Sequence, residues 1–208
     1  MSETVIVAGG DFDPEGAEKI LETGFVIGAD RGALYLTDLG YRVDLALGDF
    51  DSVTEAEFER IEAHAERVIR HPSKKNDTDL ELAVKTAMER EGNVTILGAT
   101  GSRLDQTVSA IELLKRIFDG GKDACIMDKN NRISCISGTK KIEKRGFSYV
   151  SLMPCGDEPV RVNLRGFKYS GEGIILEKGS SLGISNEIES EEGVIESDGC
   201  LYLYETRD

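Results

Sequence analysis

Short apolar segments alternate with helix-like segments up to about residue 137, and this alternation is the sequence feature that most limits the possible folds. The apolar segments cover residues 5–8, 25–29, 45–47, 68–69, 94–97 and 124–127. Between residues 78 and 90 the apolar side chains recur at helical spacing, and Thr78 with Glu81 forms a capping-box pattern. Thr54 with Glu57 predicts another helix start. Such alternation favours right-handed crossovers, so we expect an α/β, Rossmann-like fold whose mostly parallel sheet has helices on both faces.

The pattern changes after residue 137, where helical periodicity disappears. Short apolar segments at residues 147–153, 160–164, 173–176, 194–196 and 201–204 are separated by glycine-rich turns. Segments of this length typically form antiparallel strands. The sequence therefore predicts an α/β domain over residues 1–137 and a small all-β sandwich domain over residues 138–208.

Composition excludes several classes of protein. The 208 residues carry 25 Lys and Arg against 39 Asp and Glu, a net charge of −14 that repels a nucleic acid backbone. No apolar run approaches the roughly 20 residues that cross a bilayer, and the N-terminus does not resemble a signal peptide. We therefore expect a cytoplasmic protein without nucleic acid or membrane partners. The cysteines, Cys125, Cys135, Cys155 and Cys200, lack Cys-x-x-Cys spacing and are expected to be buried free thiols.

Aspartates follow the predicted strands at the points where each strand ends. Asp30 ends the second apolar segment, Asp49 and Asp51 follow the third, and Asp79 opens the helix after the fourth. In an open parallel sheet the ligand crevice lies beyond the carboxyl ends of the strands. Each Asp alone is equally well explained as a helix or turn cap. Four carboxylates together repel one another unless cations lie between them, so the set predicts a magnesium site that also takes phosphate oxygens.

Glycines at the same sheet edge are consistent with a phosphate ligand. Gly9 and Gly10 follow the first strand, and Gly98 and Gly101 follow the fifth. Glycines let backbone N–H groups approach a phosphate closely. The sequence contains no Walker A motif, which excludes a P-loop kinase.

Two further motifs point to other enzyme classes. Residues 179–183 match the Gly-x-Ser-x-Gly elbow of serine hydrolases, but His64 and His71, the only histidines, both precede it. A serine hydrolase is therefore disfavoured. Asp49-Phe50-Asp51 also matches the Asp-x-Asp motif with which sugar-nucleotide transferases hold a metal ion and a diphosphate. This fragment alone does not distinguish such a transferase from another metal-dependent enzyme that binds a polyphosphate.

Taken in order, five motifs resemble the thiamine pyrophosphokinase (thiamine diphosphokinase) family. They are Gly28–Ala33, Gly48–Ser52, Lys75–Glu81, Gly98–Asp105 and Gly183–Glu187. The resemblance implies an N-terminal α/β domain that binds ATP and a C-terminal β-sandwich that binds thiamine and dimerises. It further implies a homodimer with active sites between subunits. The implied reaction transfers pyrophosphate from ATP to the hydroxyl of thiamine, which yields thiamine diphosphate and AMP.

The resemblance also assigns roles to individual residues. It places Mg²⁺ on Asp30, Asp49, Asp51 and Asp79, with catalysis by Asp49, Asp51, Asp79 and Arg103. Residues expected to contact the nucleotide are Gly9, Gly10, Thr78, Gly98, Gly101, Ser102 and Arg103. Residues expected to face thiamine are Asp105, Gln106, Ser185 and Asn186, the last two from the partner subunit. Asp49 or Asp51 is expected to accept the proton of the alcohol.

The chain departs from the family pattern at two points. Asn76 stands where the family often has an acidic residue, and the chain has no tryptophan to stack on thiamine. We expect Tyr202 to supply a ring instead. Two alternatives stay open at this stage: a pyrophosphokinase for another alcohol such as a hydroxymethyl pterin, and a non-catalytic nucleotide-sensing module.

Overall fold

A computed structural model describes residues 3–208 and divides the chain into two compact units, Met1–Lys129 and Asn130–Asp208. Unit 1 contains β1 (Glu3–Val7), α1 (Glu18–Thr23), β2 (Phe25–Ala29), α2 (Arg31–Leu39), β3 (Leu45–Gly48), α3 (Glu55–His64), β4 (Val68–Arg70), α4 (Asp79–Met88), β5 (Asn93–Leu97), α5 (Leu104–Asp119) and β6 (Ala124–Met127). Unit 2 contains β7 (Asn131–Glu143), β8 (Tyr149–Pro154), β9 (Val160–Arg165), β10 (Gly171–Leu176) and β11 (Glu192–Thr206). The predicted boundary between residues 137 and 138 lies inside β7.

The strands of unit 1 form a sheet in the order β6-β5-β1-β2-β3-β4, and each of these pairings is parallel. β1, β2, β3 and β5 are short and almost entirely buried, as the continuous apolar segments predicted. The edge strand β4 contains no fully buried residue, which corrects the expectation of a buried strand at residues 68–69. A core cluster joins β1, β2 and β3 to α1, α2 and α3, with Leu21, Leu36 and Ile61 fully buried. The expected mixed α/β character is confirmed.

Both predicted helix starts are present, but only one capping box is complete. At α3, Thr54 Oγ1 accepts from the Glu57 N–H and the Thr54 N–H donates to Glu57 Oε2 at 2.7 Å. At α4, Thr78 Oγ1 accepts from the Glu81 N–H at 3.1 Å without the reciprocal bond. The Glu81 carboxylate instead pairs with Arg116 on α5 at 2.5 Å, and this ion pair draws it away from the cap.

Unit 2 is antiparallel and is organised around β11. This strand pairs with β7 along its length, and it also pairs with β9 through residues 194–197 and with β8 through residues 201–206. Between Ser197 and Leu201 the register of β11 shifts, and at this point its partner on the side away from β7 changes from β9 to β8. The unit has its own core, which includes Val162, Ile195 and Leu201. The β-rich C-terminal part is therefore as expected, except that the two predicted segments at 194–196 and 201–204 form one strand.

Among residues 3–208, no helix combines the length and the apolar character needed to cross a membrane.

Candidate active site

A cleft of about 630 Å³ lies at the carboxyl ends of the unit 1 strands. The loops after β1, β2, β3 and β5 line it, together with the segment that leads into α4. Of the residues predicted for the site, the lining includes Gly9, Gly10, Asp30, Asp49, Asp51, Thr78, Asp79, Gly98, Gly101, Ser102, Arg103 and Gln106. The aspartates and glycines predicted from the strand ends therefore meet at one cleft, and so do Thr78 and Gln106, which only the family resemblance implied.

The acidic cluster has three members in direct proximity and a fourth joined through a lysine. Carboxylate oxygens of Asp30, Asp49 and Asp51 lie within 4.8 Å of one another. Lys75 Nζ lies 2.8 Å from Asp49 Oδ2 and 3.0 Å from Asp79 Oδ1, so its ammonium stands between these two carboxylates. Lys75 was not predicted to have a role in the site, because its segment precedes α4 and no local pattern places it between Asp49 and Asp79.

Local backbone geometry explains why Asp49 and Asp51 both reach the cleft. Phe50 between them is only 3% exposed, and its ring centroid lies 4.9 Å from that of Phe58 on α3. Phe50 adopts a left-handed φ of 59°, and Asp30 on the adjacent strand end adopts a φ of 51°. Non-glycine residues avoid this region unless the surrounding structure holds them there, and such residues concentrate at functional sites. Burial of Phe50 thus anchors the turn that presents the two flanking carboxylates.

The pKa values of the cluster reflect crowding of negative charge. Burial raises the pKa of Asp30, and the charges of Asp79 and Asp49 raise it further. The charge of Asp49 raises the pKa of Asp51. At Asp49 burial acts in the raising direction, but the hydrogen bond and charge of Lys75 hold its pKa below the usual value overall. One lysine therefore compensates only part of the charge of this cluster.

One carboxylate oxygen in the cluster has no partner. Among the described residues, Asp30 Oδ1 is a buried side-chain oxygen that accepts no hydrogen bond, whereas Asp79 Oδ1 has the Lys75 ammonium 3.0 Å away. Buried polar atoms normally have partners, so Asp30 Oδ1 requires one. Carboxylate oxygens at the mouth of a cleft are the ligands that Mg²⁺ prefers. The donor set therefore fits a hard divalent cation.

The glycines bring the loops after β1 and β5 into backbone contact. The Gly10 N–H donates to Gly98 O at 2.7 Å, and a Cβ atom on Gly10 would lie 2.3 Å from Thr100 O. Gly98 adopts a left-handed φ of 64°. Because the Gly10 N–H is already bonded within the protein, the prediction that it approaches a phosphate is not supported. Close packing of the two loops is what requires glycine there.

Arg103 and Asp105 form an exposed pair at the start of α5. Arg103 Nη2 lies 2.6 Å from Asp105 Oδ2, and the two side chains are 70% and 67% exposed. Asp105 was predicted to face thiamine, but it does not line the cleft. Gln106, from the same helical turn, does line it. In this structure the Asp105 carboxylate is paired with the Arg103 guanidinium at the protein surface.

The unit 2 residues predicted for the site are engaged within that unit. The Asn186 side chain is buried, accepts from the Tyr169 and Glu187 N–H groups and donates to Tyr169 O. Ser185 has a φ of 58°, and its N–H donates to Ser151 Oγ. Tyr202 is only 5% exposed, which contradicts the expectation of an available stacking ring.

A different ring lies beside Asn186. Tyr169 is 62% exposed and lines a mostly apolar cavity of about 280 Å³ within unit 2, together with Asn186, Leu182 and Lys168. The sequence analysis missed Tyr169 because it lies in a turn without an apolar pattern. It is the exposed aromatic residue next to a residue predicted to contact substrate.

The fold of unit 1 and its cleft define a class of α/β proteins. In this class carboxylates, glycine-containing loops and helix N-termini lie together at the carboxyl edge of a parallel sheet. Such an arrangement is suited to binding a polyphosphate together with a metal ion. Comparison with known proteins specifies the family. Residues 17–126 match the family described as "Thiamin pyrophosphokinase, catalytic domain", and residues 139–201 match "Thiamin pyrophosphokinase, vitamin B1 binding domain". The chain belongs to the thiamin pyrophosphokinase family.

Individual relatives agree with this assignment. The thiamine pyrophosphokinase of Bacillus subtilis is 34% identical over 186 residues, which cover 88% of this chain and 87% of that protein. The crystal structure of a thiamine pyrophosphokinase from Bacillus subtilis superposes with a TM-score of 0.91 at 32% identity, covering 100% of both chains. That of the Geobacillus thermodenitrificans enzyme has a TM-score of 0.88 at 29% identity, covering 99% of this chain and 98% of the other.

Proposed function

We propose that the unit 1 cleft binds ATP with Mg²⁺ and that the protein transfers pyrophosphate from ATP to the hydroxyl of thiamine, releasing AMP. The observation that carries this proposal is the cluster of Asp30, Asp49 and Asp51, with Lys75 linking Asp79 to it, in the same cleft as the glycine loops. Family membership supports thiamine as the acceptor over a pterin, and it supports an enzyme over a nucleotide sensor.

The proposed metal ligands are Asp30, Asp49, Asp51 and Asp79. Their support is the buried Asp30 Oδ1, which has no hydrogen-bond donor, and the negative charge that Lys75 leaves uncompensated. Bound Mg²⁺ would neutralise phosphate charge and polarise the phosphoryl group for attack. Lys75 holds Asp49 and Asp79 at a fixed separation, so the ligand set is oriented before substrate arrives.

The remaining groups of the cleft position the nucleotide and the alcohol. Thr78 at the start of α4, Ser102 and the N-terminal turn of α5 offer hydroxyl and N–H donors to phosphate oxygens. Arg103, held by Asp105, stabilises the negative charge that grows on the transferred group. Asp51 is our choice of proton acceptor, because it is exposed to the cleft whereas Asp49 already accepts a hydrogen bond from Lys75.

For the acceptor side, we propose that Gln106 and Asn186 contact thiamine and that unit 2 of a partner subunit supplies Asn186 in a homodimer. We further propose that Asp105 and Ser185 face thiamine, as the family resemblance implies. We also propose a cytoplasmic location. The support for the dimer and for the shared site is the family resemblance.

The direct test is product analysis with purified protein, ATP, Mg²⁺ and thiamine. We expect AMP and thiamine diphosphate in equal amounts, and a loss of turnover by orders of magnitude in Asp49→Asn and Asp51→Asn. Asp157→Asn is the matched control, because Asp157 is 89% exposed and pairs with Lys178 in unit 2. Near-normal turnover in both cleft variants would overturn the site. AMP formation with a hydroxymethyl pterin but not with thiamine would overturn the acceptor.

The shared site is tested separately by mixing inactive variants. Asp51→Asn and Asn186→Asp chains are unfolded together and refolded as a mixture. If each site combines unit 1 of one subunit with unit 2 of the other, half of the dimers are mixed and each has one intact site, so about a quarter of the wild-type turnover returns. No recovery, with dimers shown to have exchanged subunits, would contradict the shared site.

A further inference from the structure

Three of the four cysteines converge in unit 2, although they are far apart in the sequence. Cys135 is on β7, Cys155 directly follows β8, and Cys200 is on β11. Their sulfurs all lie within 4.8 Å of one another, with 2.9 Å between Cys200 Sγ and Cys155 Sγ and 4.0 Å between Cys135 Sγ and Cys155 Sγ. The sequence spacing of the cysteines excludes a Cys-x-x-Cys pair but not a cluster formed by folding. The three thiols meet because β7 and β8 both pair with β11.

Strand register explains why the three thiols share one face of the sheet. On β11, Tyr202 is paired with Cys135 of β7 on one side and with Met153 of β8 on the other. Cys200 precedes Tyr202 by two residues and Cys155 follows Met153 by two, so all these side chains project from the same face. The Cys155 N–H donates to Cys200 O at 3.0 Å, which fixes this register.

The opposite face of the same strands carries the hydrophobic core of unit 2. Leu201 and Leu203 of β11 and Leu152 of β8 belong to that core. The thiols therefore do not form part of that core cluster. Cys135 is buried, whereas Cys155 and Cys200 are partly exposed, so an ion has access to the cluster from one side.

We propose that Cys135, Cys155 and Cys200 form a three-thiolate binding site for a thiophilic d¹⁰ cation, represented by Zn²⁺. Zn–S bonds of about 2.3 Å place the sulfurs of a tetrahedral site roughly 3.8 Å apart. The 4.0 Å between Cys135 Sγ and Cys155 Sγ already fits this spacing, and a side-chain rotation at Cys155 or Cys200 opens their 2.9 Å separation toward it, with solvent as the fourth ligand. Soft thiolate ligands select such cations over the hard ions that carboxylates prefer. The site is therefore distinct in chemistry from the acidic cleft of unit 1, and it does not depend on the function proposed for that cleft.

A disulfide would engage only two of the three cysteines. Cys155 and Cys200 are close enough to form one, but it would leave Cys135 unused. Cys135 and Cys155 lie on strands that both pair with β11, and their sulfurs are 4.0 Å apart, about twice the length of a disulfide bond. A single cation engages all three sulfurs and links β7, β8 and β11.

The test is metal titration of the full chain, metal-free and kept reduced with a phosphine under nitrogen. Co²⁺ is expected to give one equivalent of a near-ultraviolet thiolate-to-cobalt charge-transfer band, which Zn²⁺ abolishes by displacement. Ser substitution at Cys135, Cys155 or Cys200 is expected to weaken Zn²⁺ binding roughly tenfold or more. Cys125→Ser is the matched control, because Cys125 is a buried thiol on β6 of unit 1.

A second measurement uses the wild-type chain, so that a variant that fails to fold does not decide the outcome. One equivalent of Zn²⁺ is expected to slow alkylation of Cys155 and Cys200 and to raise the melting temperature, because the ion binds the folded state. The proposal is overturned if the reduced chain gives no charge-transfer band and no protection. It is equally overturned if the three variants bind Zn²⁺ as tightly as Cys125→Ser does, or if the thiols are found only as a Cys155–Cys200 disulfide that reduction does not convert into a metal-binding form.

Discussion

Replacement of Lys75 by Met is the perturbation that best tests the electrostatic description of the cleft. The Lys75 side chain is 15% exposed and lies between Asp49, which is 10% exposed, and Asp79, which is 21% exposed. Methionine keeps most of the volume and removes the charge. Asp30, Asp49 and Asp79 are then left without a protein cation in a largely desolvated cluster.

The magnitude follows from this burial. Removing one partner of a fully buried ion pair costs about 3–5 kcal/mol, and the partial solvation of this cluster favours the lower end, about 3 kcal/mol. For a chain of this size each kcal/mol corresponds to roughly 2–4 °C in melting temperature, so we expect a fall of roughly 6–12 °C. Mg²⁺ is expected to restore part of this loss by replacing the missing charge.

The stability difference between the wild-type chain and Lys75→Met depends on pH, and it is expected to shrink both at high and at low pH. Burial acts to lower the pKa of Lys75, but its bonds to Asp49 and Asp79 raise it overall above the usual 10.5. Its contribution is therefore complete below that value and is lost as the pH rises through the raised pKa. The pKa of Asp49 is held below 3.8, so its contribution is complete above that value and disappears as the pH falls through the lowered pKa.

The assay is thermal unfolding followed by circular dichroism in EDTA, repeated with Mg²⁺, at neutral pH. Lys74→Met is the matched control, since Lys74 is an exposed neighbour in the same segment. The reasoning is refuted if the Lys75 and Lys74 variants melt within about a degree of each other in EDTA, or if Mg²⁺ stabilises both equally.

Two further predictions concern stability. In Gly32→Ala the new Cβ would lie 1.9 Å from Val7 O, a backbone atom that cannot move aside, so we expect a loss of about 3 kcal/mol or more in urea unfolding, with Gly156→Ala, which has open space, unchanged. Thr54→Ala removes the hydroxyl that accepts from the Glu57 N–H and is expected to cost about 1 kcal/mol in urea unfolding. The Thr54 N–H and hydroxyl both lower the pKa of Glu57, and alanine keeps the N–H, so the pKa of Glu57 is expected to rise only part of the way to its usual value. An NMR titration in which the pKa of Glu57 is unchanged in the variant would contradict this.

The strands and the acidic cluster of unit 1 were readable from the sequence because buried parallel strands appear as continuous apolar segments. The position of Asp30, Asp49 and Asp51 then follows from topology alone, since parallel strands end at one edge. Lys75 was not readable in this way. Its role depends on the distance between Asp49 and Asp79, which only the folded chain defines.

Unit 2 was less predictable, for a physical reason at β7. Its second half is exposed and carries Lys140 and Lys141, so it has no apolar pattern. Gly138 has a φ of 72°, next to the register shift in β11, and in the sequence it resembles the end of an element rather than the middle of one. The cysteine cluster was missed for a related reason, because it depends on the pairing of three strands that no local pattern reveals.

The pairing of β11 has a consequence for how the two units acquire their structure. The β7–β11 ladder joins Asn131 to Thr206, and every other unit 2 strand except β10 also pairs with β11. Until β11 is in place, β7, β8 and β9 lack their shared neighbour and present open hydrogen-bonding edges. Contacts across such long sequence separations form slowly. We therefore expect unit 2 to refold more slowly than the more local βα units of unit 1 and to be the more prone to aggregate while it does so.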